Sequence, residues 1–283
     1  MMNRQNQQYH FGNAMVTLFN VGHSRFDLAD SLDADSAEWS LRYAASFAQP
    51  AIVPIQCIHI ALPTTTILVD AGRSDFAPDS PFAMPDDYTP PPHLLEQMQS
   101  ANLTPDTVEH LIITHLHGDH FNALTVEKDG QFVPAFPNAQ CYIGRADWER
   151  SMTQAALADP LSLESQTLGV LQQRNSLTLV AGEFTVVPGV KILPTPGETP
   201  AHQIVRVDTE RQVVYCLGDL YHHPVEVEQA GWSVKWADGE ANKASRNWFR
   251  DVARQEKAQL IATHIEGMGQ LEETADGVIW AGV

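Results

Sequence analysis

The chain has 283 residues, 35 of them acidic and 17 basic, for a formal net charge of −18. That charge repels phosphate backbones and anionic lipid surfaces, so neither nucleic acid nor a membrane is expected as a partner. At 43% hydrophobic and 18% charged residues, the composition is that of a globular protein with a sizeable core.

Residues 1–8 are polar and lack the apolar stretch of a signal peptide. No apolar run approaches the ~20 residues that span a bilayer. Cys57, Cys141 and Cys216 are odd in number, far apart and set in apolar runs, which predicts buried thiols and a reducing, cytoplasmic setting. No composition break marks a linker, so residues 1–283 are expected to form one domain.

In chain order, a β-branched run predicts a strand at 15–19, and a helix follows at 36–48 with Asp35 or Ser36 as its cap. Strands follow at 52–60 and 65–69. Residues 73–92 hold six prolines and four acids without periodicity, and read as a long loop of the kind that covers a site. A helix at 92–100 leads to a strand at 111–114, and another strand falls at 140–143. Helices are predicted at 145–158 and 161–173, then strands at 177–180, 184–187, 190–193, 204–207, 213–217 and 260–263, with a helix at 240–257 before the last. Strands crowded early and late, with helices interspersed, predict an α/β chain built as two sheets with helices outside.

The strand at 111–114 runs directly into His115-Leu116-His117-Gly118-Asp119-His120. In extended backbone, residues two apart share a side, so His115 and His117 can grip one cation. Gly118 permits a sharp turn, after which Asp119 and His120 are placed to hold a second. Three imidazoles and a carboxylate suit zinc, iron, manganese or cobalt, and are too nitrogen-rich for calcium or magnesium. Three further donors stand at the ends of predicted strands: His202 before 204–207, Asp219 after 213–217 and His264 after 260–263.

With Asp70 in Ile67-Leu68-Val69-Asp70-Ala71-Gly72, these residues form five ordered motifs, and the sequence resembles the metallo-β-lactamase superfamily over most of its length. The resemblance implies an αβ/βα sandwich of two mixed sheets flanked by helices, with the site at one edge. It implies two divalent transition-metal ions, zinc first and manganese, iron or cobalt as alternatives. His115, His117 and His202 would hold one, and Asp119, His120 and His264 the other. Asp219 would bridge the two, Asp70 would support the ligands from behind, and Asp119 and Asp219 would be the catalytic carboxylates.

Where β-lactamases themselves commonly carry a cysteine, this chain has Asp219, which turns the expectation from antibiotics to small esters or lactones. The pattern is most similar to the branch that includes acyl-homoserine lactonases. Those enzymes have a functional tyrosine three residues past the bridging aspartate; here that residue is His222, with Tyr221 one position out of register. A mononuclear iron dioxygenase acting on persulfides shares the histidine motif, and phosphodiesterases and thioesterases of the superfamily share the chemistry; these are the alternatives. Phe26, Phe76, Phe82, Met84 and Tyr88, with Trp232 and Trp236, are read either as an apolar wall for an acyl chain or as residues that pin loops or join a homodimer.

Overall fold

The computed structural model describes residues 6–73 and 76–283; Ser74 and Asp75 of the predicted loop, and residues 1–5 of the polar amino terminus, lie outside the described residues. Side chains alternate across a strand, and the two faces of Ala51–Leu62 show what that alternation builds. Ile58 and Ile60 point into a core between two sheets, whereas Ile55 and Cys57 face an outer layer of helices.

Among the described residues the first sheet runs Asn6–Phe11, Ala14–Phe26, Ala51–Leu62, Thr65–Val69, His110–Ile112, Gln140–Gly144 and Leu177–Val180 in spatial order. The second runs Phe184–Val187, Val190–Pro194, Gln203–Asp208, Val213–Cys216, Gln259–Ile261, Gly269–Thr274 and Gly277–Gly282. Both are mixed. Thr65–Val69, His110–Ile112, Gln140–Gly144 and Leu177–Val180 pair in parallel, as do Val213–Cys216 and Gln259–Ile261, and the other neighbours are antiparallel.

Val16, Ile58, Ile67 and Ile112 of the first sheet meet Ile192, Val205, Val214 and Ile261 of the second with almost no solvent contact. Each such side chain contributes about 1.5–3 kcal/mol by leaving water, so this layer holds the sandwich together. Leu94, Met98, Trp148, Leu168 and Leu171 cover the outside of the first sheet. Phe249 and Ala253, from the helix Gly239–Glu256, cover the outside of the second. The order is helix, sheet, sheet, helix, as expected.

The differences lie in the helices and the edges. The helix expected at 36–48 breaks at Tyr43 into Ser36–Arg42 and Ala44–Phe47. That break allows Tyr43 and Phe47 both to pack edge-on against Trp232, at ring separations of 5.3 and 5.7 Å. The helix expected at 145–158 divides into Arg145–Trp148 and Ser151–Ala158, and that at 161–173 into a wide turn Ser165–Gly169 followed by Val170–Gln173. The strand Asn6–Phe11 and the hairpin Gly269–Thr274/Gly277–Gly282 have weak sequence signals, because edge strands bury only part of one face.

Because the strands on either side of the core run in parallel, Val69, Ile112, Cys216 and Ile261 all end at one rim, and the loops leaving them converge there. Two glutamines clasp the sheets at that rim. Gln56 donates to the carbonyls of Ala262 and Ile265 and accepts the amide of Gly267. Gln203 donates to the Ile113 carbonyl. Packing there leaves no spare room: a Cβ on Gly72 would lie 1.5 Å from the carbonyl oxygen of Asp119. Gly72→Ala should therefore push the 118–120 turn away and lower stability by about 1–3 kcal/mol, as overpacking does. Urea unfolding checks this; an unchanged midpoint would mean that the turn is free to move.

Candidate metal centre

Asp70 is the first organiser of the rim. Its backbone is left-handed, at φ 59°, and its carboxylate accepts the Thr114 amide at 2.8 Å and the Thr114 hydroxyl at 2.9 Å. Its second oxygen lies 2.8 Å from His120 Nδ1. This contact holds the His120 ring with Nε2 turned inward, a means of orienting a ligand from behind. His264 is set in the same way, with Nδ1–H donating to the Pro54 carbonyl at 2.8 Å.

Asp219 lies among imidazoles. Its Oδ2 is 3.7 Å from His115 Nε2, 3.3 Å from His120 Nε2, 3.2 Å from His264 Nε2 and 3.3 Å from His222 Nε2. Burial alone would raise its pKa, but His120, His264 and His222 outweigh that and hold it well below the carboxylate range. Burial opposes a charge on His120, yet Asp219, Asp119 and Asp70 push its pKa well above the ordinary imidazole value. His115, enclosed and ringed by other imidazoles, moves well below it.

Two groups of donor atoms result, each within 4.8 Å internally: His115, His117, Glu198 and Asp219, and beside them Asp119, His120 and His264. Of the seven predicted ligands, the structure gathers six. His202 stands beside them: its Nδ1 contacts the Thr195 carbonyl at 3.1 Å, which leaves Nε2 turned toward the site, 3.1 Å from the Asp219 amide. Its ring lies 5.2 Å from that of His115 in the first group. Glu198, absent from the sequence-based set, stands inside it, 3.3 Å from His117 Nδ1. Its sequence signal was weak, a single acid in the loop Thr195-Pro196-Gly197-Glu198-Thr199-Pro200 before His202.

His120 Nε2, Asp219 Oδ1, Glu198 Oε2 and His222 Nε2 are buried yet without hydrogen-bond partners. A buried polar group left so costs about 1–3 kcal/mol. A divalent cation in each group would satisfy the His120, Asp219 and Glu198 atoms, and mixed imidazole and carboxylate donors fit zinc, manganese, iron or cobalt. The donor set fits the expected metals.

Behind Asp219 the segment 219–223 is tied down by a buried ion pair. Arg246 Nη2 contacts Glu226 Oε1 at 2.6 Å, with both side chains fully enclosed. Arg246 also donates to the carbonyls of Leu220 and Trp232 and lies over the Tyr221 ring. Glu226 accepts the amides of His222 and His223. His222 is stacked between Phe26 and His264, at 5.3 and 5.6 Å. His223 turns away and caps the helix Pro224–Glu228. Neither half of the ion pair carried a sequence signal, because Arg246 is a lone charge on the buried stripe of a helix 20 residues beyond Glu226.

The groups open into a cavity of about 1120 Å³. His117, Asp119, Asp219 and His264 line its deep end, and Phe26, Phe76, Phe82, Leu116, Met152 and Trp236 its walls. Of the predicted apolar wall, Met84 and Tyr88 instead line a neighbouring cavity of about 220 Å³, where the Tyr88 hydroxyl meets His23 at 2.7 Å. Trp232 packs with Tyr43 and Phe47 and does not reach the site. The 73–92 loop is joined to the first sheet by the Arg25 amide, which donates to the Phe82 carbonyl at 3.0 Å.

A four-layer sandwich with clustered histidines and aspartates at its rim defines a class, and the chain belongs to it: the model of the metallo-β-lactamase superfamily matches residues 52–264. This is a superfamily of metal-dependent hydrolases. An N-acyl homoserine lactonase from Bacillus sp is 27% identical over 226 residues, covering 75% of this chain and 81% of that protein. The N-acyl homoserine lactonase AiiA of Bacillus thuringiensis subsp. kurstaki is 26% identical over the same length. Among solved structures, the fold is shared with the hydrolase AbOPH, at TM-score 0.81 and 18% identity, covering 100% of this chain and 99% of that one. It is shared also with AidC, a dizinc quorum-quenching lactonase, at TM-score 0.78 and 20% identity, covering 98% and 97%. No helix among the described residues is long and apolar enough to cross a membrane.

Removing half of the buried pair strands the other charge, so Arg246→Met should lose about 3–5 kcal/mol. The double variant Glu226→Gln/Arg246→Met should recover part of that in chemical denaturation. Equal losses in both would mean that the two side chains are not coupled.

Proposed function

We propose that this protein is a two-metal hydrolase that opens an ester or lactone bond in a small molecule carrying an apolar group, with acyl-homoserine lactones the first class to test. The observation that carries this reading is the buried carboxylate of Asp219, standing between two groups of ligand atoms at the deep end of an apolar cavity. In support, the lactonases of Bacillus are its relatives at about a quarter identity.

His115, His117, His202 and Asp219 would hold one ion, and Asp119, His120, His264 and Asp219 the other. The chemistry a bound pair supplies is Lewis acidity, which polarises a carbonyl and lowers the pKa of water toward ~7. The protein's own groups do the rest. Asp119, lining the cavity with its side chain 15% exposed, can accept a hydrogen bond from the attacking water and aim it. Phe26, Phe82 and Trp236 exclude bulk water and bind the acyl portion, so that the carbonyl carbon is held over the site. Attack of water at that carbon breaks the bond to the alcohol oxygen and leaves a carboxylate and an alcohol.

Among the alternatives, a mononuclear iron dioxygenase makes no use of the second group, Asp119, His120 and His264. Elemental analysis of the purified protein should find about two transition-metal ions per chain; one ion, iron alone, would favour the dioxygenase. Asp219→Ala should lose metal and slow turnover by roughly a hundredfold or more, the scale of one lost electrostatic group in an active site. In a panel of lactones, aryl esters, thioesters and phosphodiesters, the lactones and esters should turn over fastest. Activity confined to phosphodiesters would overturn the assignment.

A further inference from the structure

We propose that Glu198 is a protein ligand of the metal site formed by His115, His117 and Asp219, and that its carboxylate shifts that site toward harder cations such as manganese(II). This rests on the two-metal reading above but adds a donor and a metal preference to it.

The side chain of Glu198 is 1% exposed, and among the described residues no lysine or arginine pairs with it. An ionised carboxylate loses its hydration when buried, so its position calls for a positive partner. Its nearest groups are rings of the site: Oε1 is 3.3 Å from His117 Nδ1 and 3.7 Å from His222 Nε2. Oε2 is buried with no hydrogen-bond partner among the described residues. One oxygen atom of Glu198 lies within 4.8 Å of the ligand atoms of His115, His117 and Asp219.

The loop around it is built to hold this position. The Asp238 amide donates to the Gly197 carbonyl, the Ser245 hydroxyl to the Pro196 carbonyl, and the Thr199 hydroxyl to Asp147. Gly197 has φ +148°, and a Cβ there would fall 2.4 Å from Asn242, so the loop is pressed on the helix Gly239–Glu256. The Trp236 indole N–H donates to Glu198 Oε1 at 2.6 Å. His202 Nδ1 faces the Thr195 carbonyl and its Nε2 the site, so Glu198 would add a carboxylate to a set rich in imidazoles.

Carboxylate donors suit manganese, whereas imidazoles suit zinc and iron. Adding the Glu198 carboxylate to that donor set would therefore change the preference of one site and not the other. The same bond to Trp236 links that ion to the wall of the cavity, since Trp236 also packs edge-on to Phe82 at 5.7 Å.

The test is metal binding by the full-length protein, stripped and reloaded, with manganese(II) and zinc(II) affinities measured by chelator competition. The visible spectrum of the cobalt(II)-loaded form is recorded alongside. Glu198→Gln, which is isosteric, should weaken manganese binding at one of two sites by roughly 10–100-fold, the scale seen when groups around a metal are altered. Zinc binding should weaken less, and half of the cobalt spectrum should change. Glu198→Asp, which keeps the charge but withdraws it, should show a smaller loss in the same direction. Two ions bound by the wild type, with affinities and cobalt spectrum unchanged in Glu198→Gln, would overturn the proposal. A wild type that binds one ion or none would instead remove the two-metal reading beneath it.

Discussion

The buried carboxylate of Asp219, within 3.2–3.7 Å of nitrogen atoms from four histidines, is the constraint around which the rim of this sandwich is arranged. A negative charge so deep is tolerable only in the company of positive charge, whether protons on the imidazoles or cations among them. The four rings come from three separate loops, one from the first sheet and two from the second. Neither sheet can assemble the cluster alone, so its stability depends on how the sheets meet. Gln56, Gln203 and the glycines at the rim set that meeting to within a side chain's width.

Around this centre lies a second layer of contacts that fixes direction instead of charge. Asp70 and the Pro54 carbonyl turn His120 and His264 so that their Nε2 atoms face inward. Glu226 and Arg246 immobilise the backbone on either side of His222, and Phe26 holds its ring flat. Such supports are costly in isolation, because burying an arginine and a glutamate gives little net stability over an apolar pair. What they provide here is a backbone that keeps Asp219 and His222 in place.

The cavity and the metal centre share residues, which relates specificity to chemistry. Trp236 and Phe82 form the wall, and Trp236 also holds Glu198 against the donor atoms. Movement of that wall would therefore be felt by a carboxylate beside the clustered donor atoms. The 73–92 loop contributes Phe76 and Phe82 to the same wall.

Much of this was legible in the residues themselves. Alternating β-branched runs, together with His115 to His120 and the strand-end donors Asp219 and His264, pointed to two sheets and a metal site at their edge, because periodicity and donor spacing are local properties. The broken helix at Tyr43 and the shared wall of Phe26, Phe76, Phe82 and Trp236 were legible only in part, since each depends on a partner far along the chain. The place of Glu198 within the first group, and the bond between Glu226 and Arg246, were not legible at all. The sequence by itself determined which chemistry the rim could host; only the tertiary structure decided which side chains face it. The physical reason is that a side chain's direction depends on what its loop is pressed against, here a helix more than forty residues farther on.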